Sequence, residues 1–202
     1  MGKPRVRLHG SETLTGLAGS SNDVSVLDFW QWAFSDLCAN NIRGVFAEWM
    51  VAKILELPQP VRDSWHPWDL VTPDGVTIEV KTSAYVQSWE QPNPSKILFG
   101  GLRGRLLDAK TNKYDQQATF NADLYVFCVQ IEKDVSIWDA LRLEQWRFYM
   151  VQNPQLAKVN CRTLSLSTVK TMSPEMNATE FREAALHMTK DIAASRVALV
   201  RE

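Results

Sequence analysis

The spacing of hydrophobic and polar positions changes several times along the chain, and each change predicts an element. Leu27, Trp30, Phe34 and Leu37 recur at helical spacing, behind Asn22 or Asp23 as a cap for a helix beginning near Val24. The aromatics of this helix are expected in the core. A break at Asn40-Asn41 precedes a second helix over about residues 42–57, stopped by Pro58 and Pro60. Over residues 68–81 the period falls to two, with Ile78 and Val80 alternating against Thr77, Glu79 and Lys81. Residues 90–120 carry Pro92, Pro94, Gly100, Gly101 and Gly104 and read as loops around a short strand at 97–99. The near-continuous apolar run at 123–131 suits a central strand covered on both faces, and a second strand follows at 146–151. Asn153-Pro154 starts a short helical turn, 163–166 reads as a last short strand, and Ser173-Pro174-Glu175 resembles a helix start. A C-terminal helix is expected over about 179–194. No internal repeat or second boundary appears, so 23–202 reads as one domain behind a flexible tail at 1–22 that carries Lys3, Arg5 and Arg7.

The stretch from Trp68 to Lys81 reads as a β-hairpin. Pro73-Asp74-Gly75 is a three-residue loop, a type I turn closed by glycine in the left-handed conformation. That loop pairs Thr72 with Val76, so paired residue numbers sum to 148 and Asp69 lies opposite Glu79. Opposed residues leave one face of the sheet with Cβ atoms about 4.5–5.5 Å apart. A two-residue Asp-Gly turn would shift the register by one and send Asp69 to the other face. Two carboxylates so close repel unless one holds a proton or a cation joins them. Mg²⁺ is suited to one or two carboxylates plus waters and a phosphate oxygen. Lys81, two residues beyond Glu79, shares the face and is suited to steering a water or offsetting charge on a phosphoryl group.

With these residues the chain resembles the PD-(D/E)XK nuclease superfamily. Its pattern is an Asp at the end of one strand, then Glu or Asp, any residue and Lys on the next. Here that is Asp69, nine residues, then Glu79-Val80-Lys81. The usual Pro-Asp pair is loosened to Pro67-Trp68-Asp69. The resemblance covers residues 40–131 and implies an α/β fold, a mixed central sheet flanked by helices, of the restriction-endonuclease-like type. It implies metal-dependent hydrolysis of phosphodiesters in DNA, with RNA left open, by an endonuclease of the restriction, repair or defence type. Asp69, Glu79 and the Val80 carbonyl would hold Mg²⁺, with Mn²⁺ as substitute, and a homodimer is expected by analogy. The superfamily often adds an acid from the helix before the hairpin. Glu48 suits that role, because Val45, Val51, Ala52 and Leu55 at offsets −3, +3, +4 and +7 put it in the middle of an apolar face. The structural alternative for Glu48 is a salt bridge to Lys81 or Arg43.

Other residues are open to two readings. Tyr85 and Gln87 follow the E-x-K strand and are candidate substrate contacts. Arg103 and Arg105 belong to a segment, 96–113, in which five cations face one Asp108, giving either a phosphate-contacting flap or a solvated loop. His66 is a candidate base or ligand, or a hydrogen-bonded structural residue. A formal net charge of −1 over 202 residues excludes a wholly basic nucleic-acid binder, so any footprint has to be local. No run approaches the roughly 18 apolar residues of a membrane span, and the N-terminus has no apolar signal region. Cys38, Cys128 and Cys161 are isolated, which argues against disulfide and zinc scaffolds and points to the cytoplasm. The alternatives are a non-catalytic nucleic-acid- or ligand-binding module on the same fold, or a regulatory subunit of a defence complex.

Overall fold

Seven consecutive residues, Leu124–Gln130, are all buried and form an interior strand of the main sheet. The computed structural model describes residues 6–16, 24–108 and 110–199. The expected caps Asn22 and Asp23, and Lys3 and Arg5 of the tail, lie outside them. In chain order the elements are α1 (Val26–Phe34), α2 (Asn40–Ile54), β1 (Leu70–Val71), β2 (Thr77–Ala84), β3 (Leu98–Phe99), β4 (Leu107–Asp108) and β5 (Lys113–Tyr114). They continue with β6 (Leu124–Gln130), β7 (Trp146–Gln152), α3 (Asn153–Val159), β8 (Leu164–Ser165), α4 (Leu166–Met172) and α5 (Ala178–Leu199). The main sheet has the order β1-β2-β6-β7. β2 runs antiparallel to β1 and parallel to β6, and β7 returns antiparallel to β6. The chain is therefore a mixed α/β protein with flanking helices. Two small antiparallel pairs, β3 with β8 and β4 with β5, lie outside the main sheet.

The two faces of the sheet are packed differently. Even-numbered residues of β2, Ile78 and Val80, join Leu124, Val126, Trp146 and Phe148 in a core with Ala47, Met50 and Val51 of α2 and Phe181 and Ala185 of α5. On the other face Tyr125, Phe127, Tyr149 and Val151 pack against Ile97, Phe99, Leu102, Leu156 and Leu164. β6 serves both cores, which is why its sequence has no polar alternation. β2 serves one, so Thr77, Glu79 and Lys81 on its other face stay polar and half-buried. Asp123 ties the sheet to α5: its carboxylate accepts from the Thr77 N–H at 2.7 Å and the Thr77 hydroxyl at 2.6 Å, and it pairs with Arg196.

Several expectations shift. The first helix is capped by Ser25, whose hydroxyl and backbone form a reciprocal box with Asp28. None of its residues is buried, so its aromatics are not in the core: Phe29, Trp32 and Phe34 are exposed. Trp30 packs on Gly10 instead, and Phe29 contacts Trp32 and Phe34. The helical residues in the core on the Ile78 and Val80 side of the sheet come from α2 and α5 instead. Helix α4 was not anticipated; Ser173 ends it, and its hydroxyl accepts from the Met150 N–H at 2.8 Å. α5 begins at Ala178, close to the expected 179, where Asn177 Oδ1 accepts from the N–H groups of Thr179 and Glu180, and it continues past 194 to Leu199. Ser173-Pro174-Glu175 starts no helix.

Gly75 sits at φ +79° and its N–H donates to the Thr72 carbonyl at 2.9 Å, while Thr72 N–H donates to Val76. The turn is thus the three-residue form. Alanine there meets no neighbouring atom but must adopt the left-handed region. Gly75→Ala is expected to cost about 1 kcal/mol in urea unfolding, through backbone strain alone.

Candidate active site

The site begins with the register of β1 on β2. Leu70 pairs with Ile78 and Val71 with Thr77, so the numbers sum to 148 as the three-residue loop requires, and Asp69 leaves the end of β1 close to Glu79. The Asp69 N–H donates to the Ile78 carbonyl at 3.0 Å, one step off that sum, so the regular ladder ends at Leu70–Ile78 and Asp69 is not squarely opposite Glu79 as expected. Asp69 Oδ2 then accepts from the Val80 N–H at 2.7 Å, which fixes the carboxylate against β2. One step along the same face, Lys81 Nζ donates to Glu79 Oε1 at 2.6 Å. The backbone closes in on this ammonium: a Cβ on Gly101, which sits at φ +62°, would lie 3.7 Å from Lys81 Nζ.

Parallel pairing brings Tyr125 beside Glu79 on the sheet. The Tyr125 hydroxyl donates to the Leu102 carbonyl at 3.2 Å and accepts from the Asn121 N–H at 3.0 Å, so it fastens the covering loop to the sheet. Burial pushes this phenol up to about 12, and it stays neutral. Above it lies a cleft of about 510 Å³ lined by Asp69, Glu79, Trp65, Arg105, Tyr114 and Tyr125 among others.

Electrostatics make the acid pair an unfavourable arrangement in the free protein. Burial, with the nearby charges of Glu79 and Glu48, pushes Asp69 up to about 7 against the pull of the Val80 N–H and Lys81. Burial likewise raises Glu79, and Lys81 only partly offsets it. Glu48 is held by Arg62 in a two-pronged contact, Nε to Oε2 at 2.5 Å and Nη2 to Oε1 at 2.6 Å. Neither structural partner named for Glu48 applies: Lys81 pairs with Glu79, and buried Arg43 bonds the Cys38 carbonyl, Asn40 and Gln87. Glu48 does sit within the expected stripe: Val51, Ala52 and Leu55 around it are buried, Val45 is half-buried, and its own side chain is 13% exposed.

Among the described residues no three His, Cys, Asp or Glu side chains converge as a ready metal cage. The donor set facing the cleft is instead two carboxylates, Asp69 and Glu79, with Glu48 turned to Arg62. Hard oxygen donors on two acids, both raised toward protonation, fit Mg²⁺, which commonly uses only one or two protein carboxylates. Val80 takes part through its main chain, its N–H being spent on Asp69.

The remaining candidates separate. Arg105 lines the cleft, exposed and without a hydrogen bond or ion pair to any described residue. Arg103 also lines it, but its guanidinium lies 4.7 Å from the Phe120 ring and donates to Asn160, so it braces the loop. Tyr85 and Gln87 do not line this cleft; they belong to another cavity with Trp89 and Lys133. Gln87 is occupied by Arg43 and by the Ala84 carbonyl, which makes it a structural link between α2 and the end of β2. His66 lines the cleft with its ring 5.4 Å from Trp68. Arg62, Trp65 and Tyr125 were not singled out by sequence. Tyr125 looks like any other member of an apolar run until the β2–β6 register is known.

No family model matches the chain, and no curated protein matches it in sequence.

Asp69 holds its proton more tightly in the fold, at about 7, than in an unfolded chain at about 4. Its contribution to stability is complete below the unfolded value and is lost as pH rises through the folded one. In EDTA, the melting temperature of the wild type is expected to fall over this window more than that of Asp69→Asn. The variant, which keeps an acceptor for the Val80 N–H, is expected to be the more stable above about pH 7, by ~1 kcal/mol or more. Parallel pH profiles of the two proteins would contradict the mutual repulsion.

Proposed function

We propose that this chain is a metal-dependent nuclease of the PD-(D/E)XK type, with a restriction-endonuclease-like fold, hydrolysing phosphodiester bonds in DNA. One observation carries the reading: Asp69, held by the Val80 N–H, and Glu79 line one open cleft, and Lys81 reaches Glu79 from the same strand face. The sheet order supports it, since the strand bearing Glu79 and Lys81 lies between an antiparallel edge strand and a parallel neighbour.

Asp69 and Glu79, with the Val80 carbonyl, would hold Mg²⁺, and Mn²⁺ would substitute. A bound ion supplies a lowered pKa for the attacking water and charge to offset the leaving oxygen. The chain's own residues do the rest. The Val80 N–H and the hairpin register fix Asp69 before substrate arrives. Lys81 is oriented by Glu79 at 2.6 Å and keeps further N–H donors for a water or a phosphoryl oxygen. Partial burial strengthens that contact relative to bulk water. Arg105 has no partner among the described residues to give up on meeting a backbone phosphate. Glu48 is kept near the pair by Arg62, where its charge still reaches Asp69. In the reaction, water oxygen bonds to phosphorus, the bond to one sugar oxygen breaks, and that oxygen leaves as a hydroxyl.

Cleavage of supercoiled plasmid and of circular single-stranded DNA, with Mg²⁺ or with EDTA, tests the reading. Glu79→Ala and Lys81→Ala are expected to lose about a hundredfold or more in rate. Calorimetry is expected to show Mg²⁺ binding to the wild type and none to Glu79→Ala. Equal activity in all three proteins, or no metal-dependent cleavage of either DNA, would end the proposal.

A further inference from the structure

The cleft beside the acid pair has a wall that phosphate chemistry leaves unused. Trp65 is 84% exposed and Tyr114 55% exposed, yet both line the same cleft as Asp69 and Glu79. Water contact on this scale is a costly way to place an indole and a phenol ring, since each aromatic buries about 150–250 Å² when covered.

The loop bearing Trp65 is firmly built. The Trp65 N–H donates to Asp63 Oδ1 at 2.9 Å, and the Ser64 hydroxyl accepts from Arg62 at 2.9 Å. Arg62 in turn is clamped to Glu48 of α2. The ring is thus presented outward from a segment anchored to the helix behind the acid pair. Tyr114 is presented from the β4–β5 hairpin, opposite Leu107 in the ladder. Positive charge follows the same hairpin and its approach, with Arg105, Lys110 and Lys113 all exposed.

Exposed aromatic faces joined to a basic track are the recognition chemistry of unpaired nucleic acid strands. A duplex hides its base faces in the stack and offers such rings nothing to cover them. Phosphate-only recognition would use Arg105 and the lysines and leave Trp65 and Tyr114 idle. We infer that this cleft takes an unpaired strand, with bases stacked on Trp65 and Tyr114 and the backbone running along Arg105 toward Asp69 and Glu79. The inference rests on the nuclease reading for what happens to the strand, but the binding itself does not. As a nuclease, the protein would act on single-stranded DNA, flaps or frayed ends in preference to intact duplex.

The test is fluorescence anisotropy in EDTA with a labelled oligothymidylate of about twelve nucleotides, the same strand in duplex, and an oligouridylate. The single strand is expected to bind more tightly than the duplex. Trp65→Ala and Tyr114→Ala are each expected to weaken single-strand binding roughly tenfold, Trp65→Phe to restore it, and the equally exposed Trp32→Ala on α1 to leave it unchanged. Oligouridylate binding that also depends on Trp65 would support the cleft and extend it to RNA. Duplex binding as tight as single-strand binding, or an unchanged affinity in Trp65→Ala, would overturn the inference. Plasmid cleavage by such a protein would leave the nuclease reading standing alone. Conversely, Trp65-dependent strand binding with no cleavage under Mg²⁺ or Mn²⁺ would uphold the cleft and sink the nuclease.

Discussion

Two carboxylates that would rather be apart are forced together by the register of a hairpin. The glycine at the left-handed turn position closes the loop in its three-residue form, the pairing counts outward to Leu70–Ile78, and the Val80 N–H then holds the Asp69 carboxylate near Glu79. A slip of β1 by one residue would send Asp69 to the face of Ile78 and Val80, toward the core they share with α2 and α5. The same apolar packing therefore holds both the fold and the repulsive pair. The core can carry this because β6 is buried along its whole length and serves two hydrophobic layers.

What makes the pair accessible is the connection between β2 and β6. These strands are parallel, and a parallel crossover is usually a helix packed on the sheet. Here the crossover is a long segment that, among the described residues, is mostly irregular and holds the short strands β3, β4 and β5. It covers the upper part of the sheet through Ile97, Phe99 and Leu102 and is pinned by the Tyr125 hydroxyl. Beyond that pin the covering is incomplete, and the cleft opens over Glu79. A continuous helix with a full apolar stripe would have sealed the acids into the interior. Binding groups on loops over a rigid sheet are a common division of labour.

Charge around the pair is distributed rather than neutralised. Lys81 answers Glu79, and Arg62 answers Glu48, which leaves Asp69 with only a backbone N–H as partner. Three acids against two cations leave one carboxyl without a compensating charge in a partly dry pocket, and Asp69 is pushed toward protonation there. Stability conceded at such a place is characteristic of sites kept for binding or chemistry. Arg62 has a second duty, since its contacts to Glu48 and to Ser64 join α2 to the loop that displays Trp65.

The hairpin, its register and the shared face of Asp69, Glu79 and Lys81 were legible in the sequence, because period-two alternation and turn chemistry are local properties of a few residues. The buried strand at Leu124–Gln130 was equally legible from its unbroken apolar run. Pairing between distant segments was not. Helical spacing in α1 matched a core helix, but whether a sheet face remains free for it depends on where α2 and α5 dock. Glu48 could be recognised as a costly acid on a helix; that Arg62 meets it depends on the path of a proline-flanked loop. Gln87 lies close to Lys81 in sequence, yet Arg43 from α2 draws it into a separate contact. Tyr125 becomes part of the site only through the parallel pairing of β2 and β6, and Trp65 and Tyr114 share one cleft only after the chain has folded back on itself. Local periodicity fixed which side chains share a strand face; long-range packing chose their neighbours, because those contacts join segments whose separation no local pattern encodes.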